Sequence, residues 1–227
     1  MKRVEYGIAF IIMMMMQGIL VFLCVDLLLV RAPFMDRICR EHQVAEHFQT
    51  ESTEMEKVTK DLIDYVQGRK EVLDTRIRLN GMEEPFYNEK EIQHVWDVRA
   101  LIAGWKIFSV IGVLLLAALA VYCFRKKRPE VLCQSYLASW LVWILIAAAV
   151  GIWAAKDLYG FVNGFHYVFF RNDLWIMDPA VDRIIWLFPL EIFSESLKIA
   201  GGTYIAIQLV LTAASILFLR RRKKSKA

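Results

Sequence analysis

Four blocks of about twenty apolar residues constrain this chain more than any other feature: Gly7 to Val30, Ala100 to Phe124, Tyr136 to Ala155 and Ile199 to Leu219. Each has the roughly 20 residues that a helix needs to cross about 30 Å of hydrocarbon. Helices are required because a lone extended segment in lipid leaves its backbone N–H and C=O groups unpaired. The chain is 57% hydrophobic with a mean hydropathy of +0.40. Because those residues gather in blocks and not in amphipathic stripes, an ordinary soluble domain is excluded. The fold class is therefore an all-α integral membrane protein with four transmembrane helices.

Charge sets the expected orientation. Lys2 and Arg3, the run Arg125 to Arg128, and the tail from Arg220 to Lys226 hold twelve basic residues against Glu5 and Glu130. By the positive-inside rule these segments are cytoplasmic, so both termini lie inside. The segment Arg31 to Val98 has ten Lys/Arg against fifteen Asp/Glu and is placed outside. The expected organisation is a first span at 7–30, an external segment at 31–98 and a second span at 99–124. A cytoplasmic loop at 125–135, a third span at 136–155 and an external interfacial loop at 156–198 follow. A fourth span at 199–219 and a basic cytoplasmic tail at 220–227 complete it. Lys2 and Arg3 resemble a secretory signal, but the apolar run is of spanning length and no small-residue cleavage site closes it, so an uncleaved first helix is expected. With only Cys39 of the four cysteines outside, a disulfide framework is not expected. The net charge of +4 reflects the inner face and anionic lipid, not nucleic acid.

Within the external segment, Val44, Phe48, Met55, Val58, Leu62 and Val66 recur at helical spacing, and Gly68 stands where a C-terminal cap belongs. One amphipathic helix of about six turns is predicted. Alternation through Arg76, Ile77, Arg78 and Leu79 before Asn80-Gly81 predicts a hairpin. Asn88 and Glu91 have capping-box spacing, and apolar periodicity then continues through the second span as one rod of about 35 residues. His94, Asp97 and Leu101 share a face of it. The second external loop has ten aromatics in about forty residues, a density suited to the bilayer interface, and its polar side chains are expected to meet lipid headgroups. Short interfacial helices and a turn near Asp178-Pro179 are predicted there.

All four histidines, His42, His47, His94 and His166, fall outside. None forms a metal-binding pair of the His-Glu-x-x-His kind, and no Gly-x-Ser-x-Gly elbow is present, so neither a metal centre nor a hydrolase of that design is indicated. His42 and His47 read as solvated or packing side chains of a charged helix. His94 and His166 sit at headgroup depth, where an interfacial anchor competes with proton transfer, for which imidazole is the obvious group. Gln17 reads as an interhelical hydrogen bond, while Asp26 and Lys106 lie close enough to the outer end to snorkel.

The ordered pattern Phe165-His166-x-x-Phe169-Phe170, Asn172-Asp173-x-Trp175, Asp178-Pro179-x-x-Asp182 and Leu187-Phe188-Pro189, with His94-x-x-Asp97-Val98 entering the second span, resembles the lipoprotein intramolecular transacylase (Lit) family. The resemblance implies an enzyme of the bacterial cytoplasmic membrane. It would move the sn-2 acyl chain of a diacylglyceryl-cysteine lipoprotein to the cysteine α-amine, leaving a lyso-form lipoprotein. It implies His94 and His166 as the catalytic pair, with Asp97, Arg99, Asn163, Tyr167, Arg171, Asn172, Asp173, Trp175, Asp178 and Asp182 in supporting or substrate-binding positions. No cofactor or metal is implied, and the partners are diacylglyceryl-modified lipoproteins and membrane lipid.

The chemistry suits such residues. Donor ester and acceptor amine share one molecule, so proximity replaces a bimolecular encounter. An α-amine of pKa about 7.7 to 8.0 yields a proton to a histidine near neutrality. His166 is the expected base, with His94, oriented by Asp97, protonating the departing glycerol oxygen or supporting the tetrahedral intermediate; the reverse assignment is equally open. Arg171, Asn172 or a backbone amide would supply the oxyanion donor. Two other classes remain: an accessory protein gripping lipid or a partner, and a small transporter, which the lack of paired intramembrane charges disfavours.

Overall fold

The computed structural model describes residues 2–79 and 81–225. Its elements in chain order are α1 Lys2–Leu28, α2 Ala32–Glu41, α3 Val44–His47, α4 Ser52–Val66, β1 Arg76–Leu79, β2 Met82–Pro85, α5 Glu89–Arg125, α6 Glu130–Lys156, α7 Leu158–Phe169, α8 Ile184–Leu187 and α9 Leu190–Lys224. Among the described residues, four helical stretches are long and apolar enough to cross a membrane, as expected. The chain divides into two compact units, one of Met1–Cys24, Trp105–Lys156 and Ile199–Ala227, the other of Val25–Gly104 and Asp157–Lys198.

The first unit has an outer surface of Val110, Leu114, Leu145, Leu209 and Val210, each more than 60% exposed, while its interior holds Gln17, Gln208 and Ser139 at 0%. Lipid tails are as apolar as leucine, so burying an aliphatic side chain gains little here, and helices are held by close packing and polar contacts instead. Gln17 Oε1 accepts from Tyr204 Oη at 2.9 Å and from Gln208 Nε2. Tyr136 Oη donates to Gln208 Oε1 at 2.8 Å, extending the chain of polar groups to a third helix. Gly112 leaves room for the tip of Ile19, which a Cβ would displace. Near the basic ends, Glu5 pairs with Arg128 and accepts from Tyr122 Oη at 2.9 Å, and Arg222 pairs with Glu130 at 2.9 Å.

The second unit has a conventional core in which Ile38, Val58, Leu73, Ile77, Phe86 and Leu187 are all buried below 2% exposure. The single amphipathic helix predicted from residue 44 is not there. Its stretch is split into α3 and α4, with α2 added before them. Gln49 adopts φ +52, which no right-handed helix accommodates, and Thr50 Oγ1 donates to the Arg78 carbonyl at 2.9 Å, tying the break to the hairpin. The apolar period survives the break because α2 and α4 pack into one core, with Thr59 Oγ1 donating to Asp36 between them. Gly68 does end α4 in the left-handed conformation, φ +82. The hairpin is also present, pairing Ile77 with Glu84 and Leu79 with Met82. Gly81 turns it at φ +81, while Asn80 lies outside the described residues. Arg183 then grips the hairpin through Glu84 at 2.7 Å and the Pro85 carbonyl at 2.9 Å.

Candidate active site

The site starts at the first turn of α5. Asn88 Oδ1 accepts from the Glu91 N–H at 2.9 Å while Glu91 Oε2 accepts from the Asn88 N–H at 2.6 Å, the reciprocal capping box that the spacing predicts. Glu91 is 0% exposed, and its other oxygen takes the Ile184 N–H at 2.6 Å, at the start of α8. Burial raises its pKa, against the opposing pull of these backbone N–H groups. One carboxylate thus caps two helices and ties the aromatic loop to α5. A second tie is Asp182, 2% exposed, whose oxygens accept from Asn88 Nδ2 at 2.8 Å, Lys90 Nζ at 2.7 Å and the Asp178 N–H at 2.8 Å. Burial works to raise the Asp182 pKa, but these donors outweigh it and hold the carboxyl below its ordinary range. The expectation that Asp182 meets lipid headgroups is therefore corrected: it is a buried anchor of the fold.

His94, one turn beyond Glu91, is 8% exposed. His166 lies in the last turn of α7, a helix capped at its start by Asp157, which accepts from the Gly160 N–H at 2.8 Å. The His166 Nδ1–H donates to the Val162 carbonyl at 2.7 Å. A carbonyl only accepts, so the neutral ring carries its proton on Nδ1 and presents its lone pair at Nε2.

The two imidazole rings lie 5.9 Å apart, centroid to centroid, inclined at 35°. Phe170 touches both, edge-on to His94 at 5.1 Å and tilted against His166 at 5.6 Å. Trp175 stacks on His166 at 5.0 Å and 24°, and Tyr167 meets the indole edge-on at 4.8 Å. This aromatic enclosure sets the electrostatics. Burial pushes His94 down to about 4, helped by the His166 and Lys90 charges and opposed by Asp97. Burial likewise lowers His166, against the Val162 hydrogen bond. Both rings are neutral at pH 7, and a proton on one disfavours a proton on the other. The buried Cys39 thiol is pushed up to about 12 by burial, so it offers no competing nucleophile at neutral pH.

A family model for the lipoprotein intramolecular transacylase Lit matches residues 9–193, which include both histidines. The chain belongs to the Lit family. No curated protein matches it significantly. Among solved structures, the membrane-integral lipoprotein intramolecular transacylase Lit from Bacillus cereus has a TM-score of 0.73 at 16% identity, covering 100% of this chain and 99% of that one. A histidine-to-alanine variant of the same Bacillus cereus protein has a TM-score of 0.69 at 14% identity, over 98% and 95% of the two chains. At such identity the likeness is one of fold, and this Lit family member is a multi-pass membrane protein with that fold.

The remaining expected residues of this Lit member separate into groups. The Asp97 carboxylate, whose charge acts on His94, accepts from Asn172 Nδ2 at 2.9 Å, and Asn172 Oδ1 accepts from the Leu174 N–H at 3.1 Å, so the pair shapes the loop after α7. Arg99 donates to the Lys70 and Glu71 carbonyls at 3.0 and 3.3 Å and covers the Tyr65 ring, holding the segment after α4. Asp178 accepts from the Ala180 N–H and makes the turn predicted there. Asn163 is half-buried on α7, while Arg171 and Asp173 are exposed. Phe170 and Lys90 were missed. Phe170 looked like one more interfacial aromatic, and only the helix end at Phe169 turns its ring inward. A cleft of about 410 Å³ opens beside α5, lined by Tyr65, Ile92, Gln93, Trp96, Asp97 and Leu174. Among the described residues no His, Cys, Asp and Glu side chains gather closely enough to hold a metal ion.

Proposed function

We propose that this Lit member transfers the sn-2 acyl chain of a diacylglyceryl-cysteine lipoprotein to the α-amine of the same cysteine, on the outer face of the bacterial cytoplasmic membrane. The observation that carries the reading is a pair of imidazoles from separate segments, His94 buried and His166 half-buried, with ring centroids 5.9 Å apart. Neutral His166, with Nδ1–H engaged, has Nε2 available as the base.

In the proposed reaction the amine nitrogen attacks the ester carbonyl carbon and the C=O electron pair moves to oxygen. His166 Nε2 takes one N–H proton from the attacking amine. The tetrahedral intermediate then expels the glycerol sn-2 oxygen, which receives that proton from the His166 imidazolium. His94, held neutral, donates a ring N–H hydrogen bond to the departing oxygen. One C–O bond breaks, one C–N bond forms, and substrate and product are isomers, so no acyl donor or energy source is consumed. The restraint of both groups in one molecule supplies part of the several kcal/mol available from proximity.

Because mass is unchanged, the test is tandem mass spectrometry of a synthetic diacylglyceryl lipopeptide after incubation with the protein in vesicles. Fragment ions with the acyl chain on the N-terminus are expected for the native protein. His94→Ala and His166→Ala are expected to lower the rate by at least about 10³-fold while remaining folded. Native-like rates in both variants overturn the catalytic assignment, and no product with the native protein overturns the activity.

A further inference from the structure

An acyl transfer passes through a tetrahedral oxyanion, and donors already aimed at that oxygen are usually the largest single source of acceleration. The side chains expected for this task are poorly suited. The Asn172 amide is bound to Asp97, and Arg171 is exposed to solvent. Beside His166 lies a different donor. The indole N–H of Trp175 is buried and has no hydrogen-bond partner among the described residues, although buried N–H groups are nearly always paired. His94, in ring contact with His166 at 5.9 Å, has a second buried nitrogen without a partner among the described residues, Nδ1.

The indole meets two rings, stacked on His166 at 24° and abutted by Tyr167 at 85°. These contacts restrain the side chain and favour one direction for the N–H. An indole N–H only donates and bears no charge, so it cannot take the proton that His166 carries, and the stacked arrangement at 24° keeps it out of the imidazole plane where the His166 lone pair lies. A donor left unpaired and restrained by ring contacts needs little reorganisation when negative charge appears nearby.

We propose that Trp175 is a catalytic residue of the transacylation, its Nε1–H donating to the carbonyl oxygen of the sn-2 ester as that oxygen becomes an oxyanion. The assignment rests on the acyl transfer proposed above. Trp175→Phe keeps an aromatic ring against His166 and removes only the donor. It is expected to lower kcat by about 10²- to 10³-fold, with KM changed less than about threefold and no loss of melting temperature. Trp143→Phe is the control, since that indole N–H is also buried and unpartnered but belongs to the other unit; it retains the native rate. A Trp175→Phe kcat within threefold of native, or a fall matched by a lower melting temperature, overturns the assignment.

A second measurement uses the native protein alone. A lipopeptide with a phosphonate in place of the sn-2 ester, added to ¹⁵N-labelled protein, is expected to move one of the seven indole N–H resonances downfield. No movement overturns the proposal. An inactive native protein would sink the acyl-transfer reading itself, whereas an active native protein with an equally active Trp175→Phe variant sinks only the role of Trp175.

Discussion

His94 and His166 are kept uncharged by the rings around them, and that neutrality links fold to pH. In the unfolded chain each imidazole takes up a proton near pH 6.5, whereas the folded protein holds His94 unprotonated down to about 4. Between those values the unfolded state binds more protons, so stability present above pH 6.5 is lost as pH falls towards 4. The slope reaches at most about 1.4 kcal/mol per pH unit for this group. Melting temperatures of the detergent-solubilised protein are expected to fall across this window, and His94→Gln to flatten the fall. Both histidines were singled out through the resemblance of the Phe-His-x-x-Phe-Phe and His-x-x-Asp-Val patterns to the Lit family, since position alone favoured an interfacial anchor. The partner of Asp97 was not legible: helical spacing puts it on the His94 face, and only the fold brings Asn172 close enough to claim it.

Elements of the second unit are joined by a few buried polar groups, of which Glu91 does the most. Its carboxylate serves the α5 cap and the start of α8, so removing it leaves the N–H groups of Asn88 and Ile184 unpaired in the interior. Each such loss costs about 1 to 3 kcal/mol. Glu91→Ala is expected to lower the melting temperature by several degrees and to slow transacylation at temperatures where the fold persists. Glu91→Gln, which keeps one acceptor oxygen, should fall between the two in a thermal melt. The cap was readable from Asn88 and Glu91 because it is local, three residues apart. The second role was not, since it joins positions 93 residues apart in sequence. The break between α3 and α4 was hidden for a related reason. Apolar period reports which side chains face a core, and Gln49 turns the backbone without disturbing that list.

For the whole molecule the proposed orientation follows from charge: basic ends inside, acidic segment outside. It predicts that single cysteines placed in a cysteine-free background report opposite sides. An impermeant maleimide added to intact bacterial cells is expected to label Glu83→Cys in the exposed hairpin and leave Lys223→Cys unlabelled until the cells are opened. Equal labelling of both, or the reverse pattern, would refute the orientation. The sequence by itself determined that four helices cross a bilayer, because hydrophobic length and the need to pair every backbone group are local properties of a run of residues. Gln17 was recognisable as a buried contact for the same reason: an amide in lipid has to find a partner. Only the tertiary structure decided which partners were found, Tyr204 and Gln208 in one unit, and in the other which rings enclose His94 and His166. Burial and mutual distance, which set a protonation state, arise only when segments distant along the chain meet.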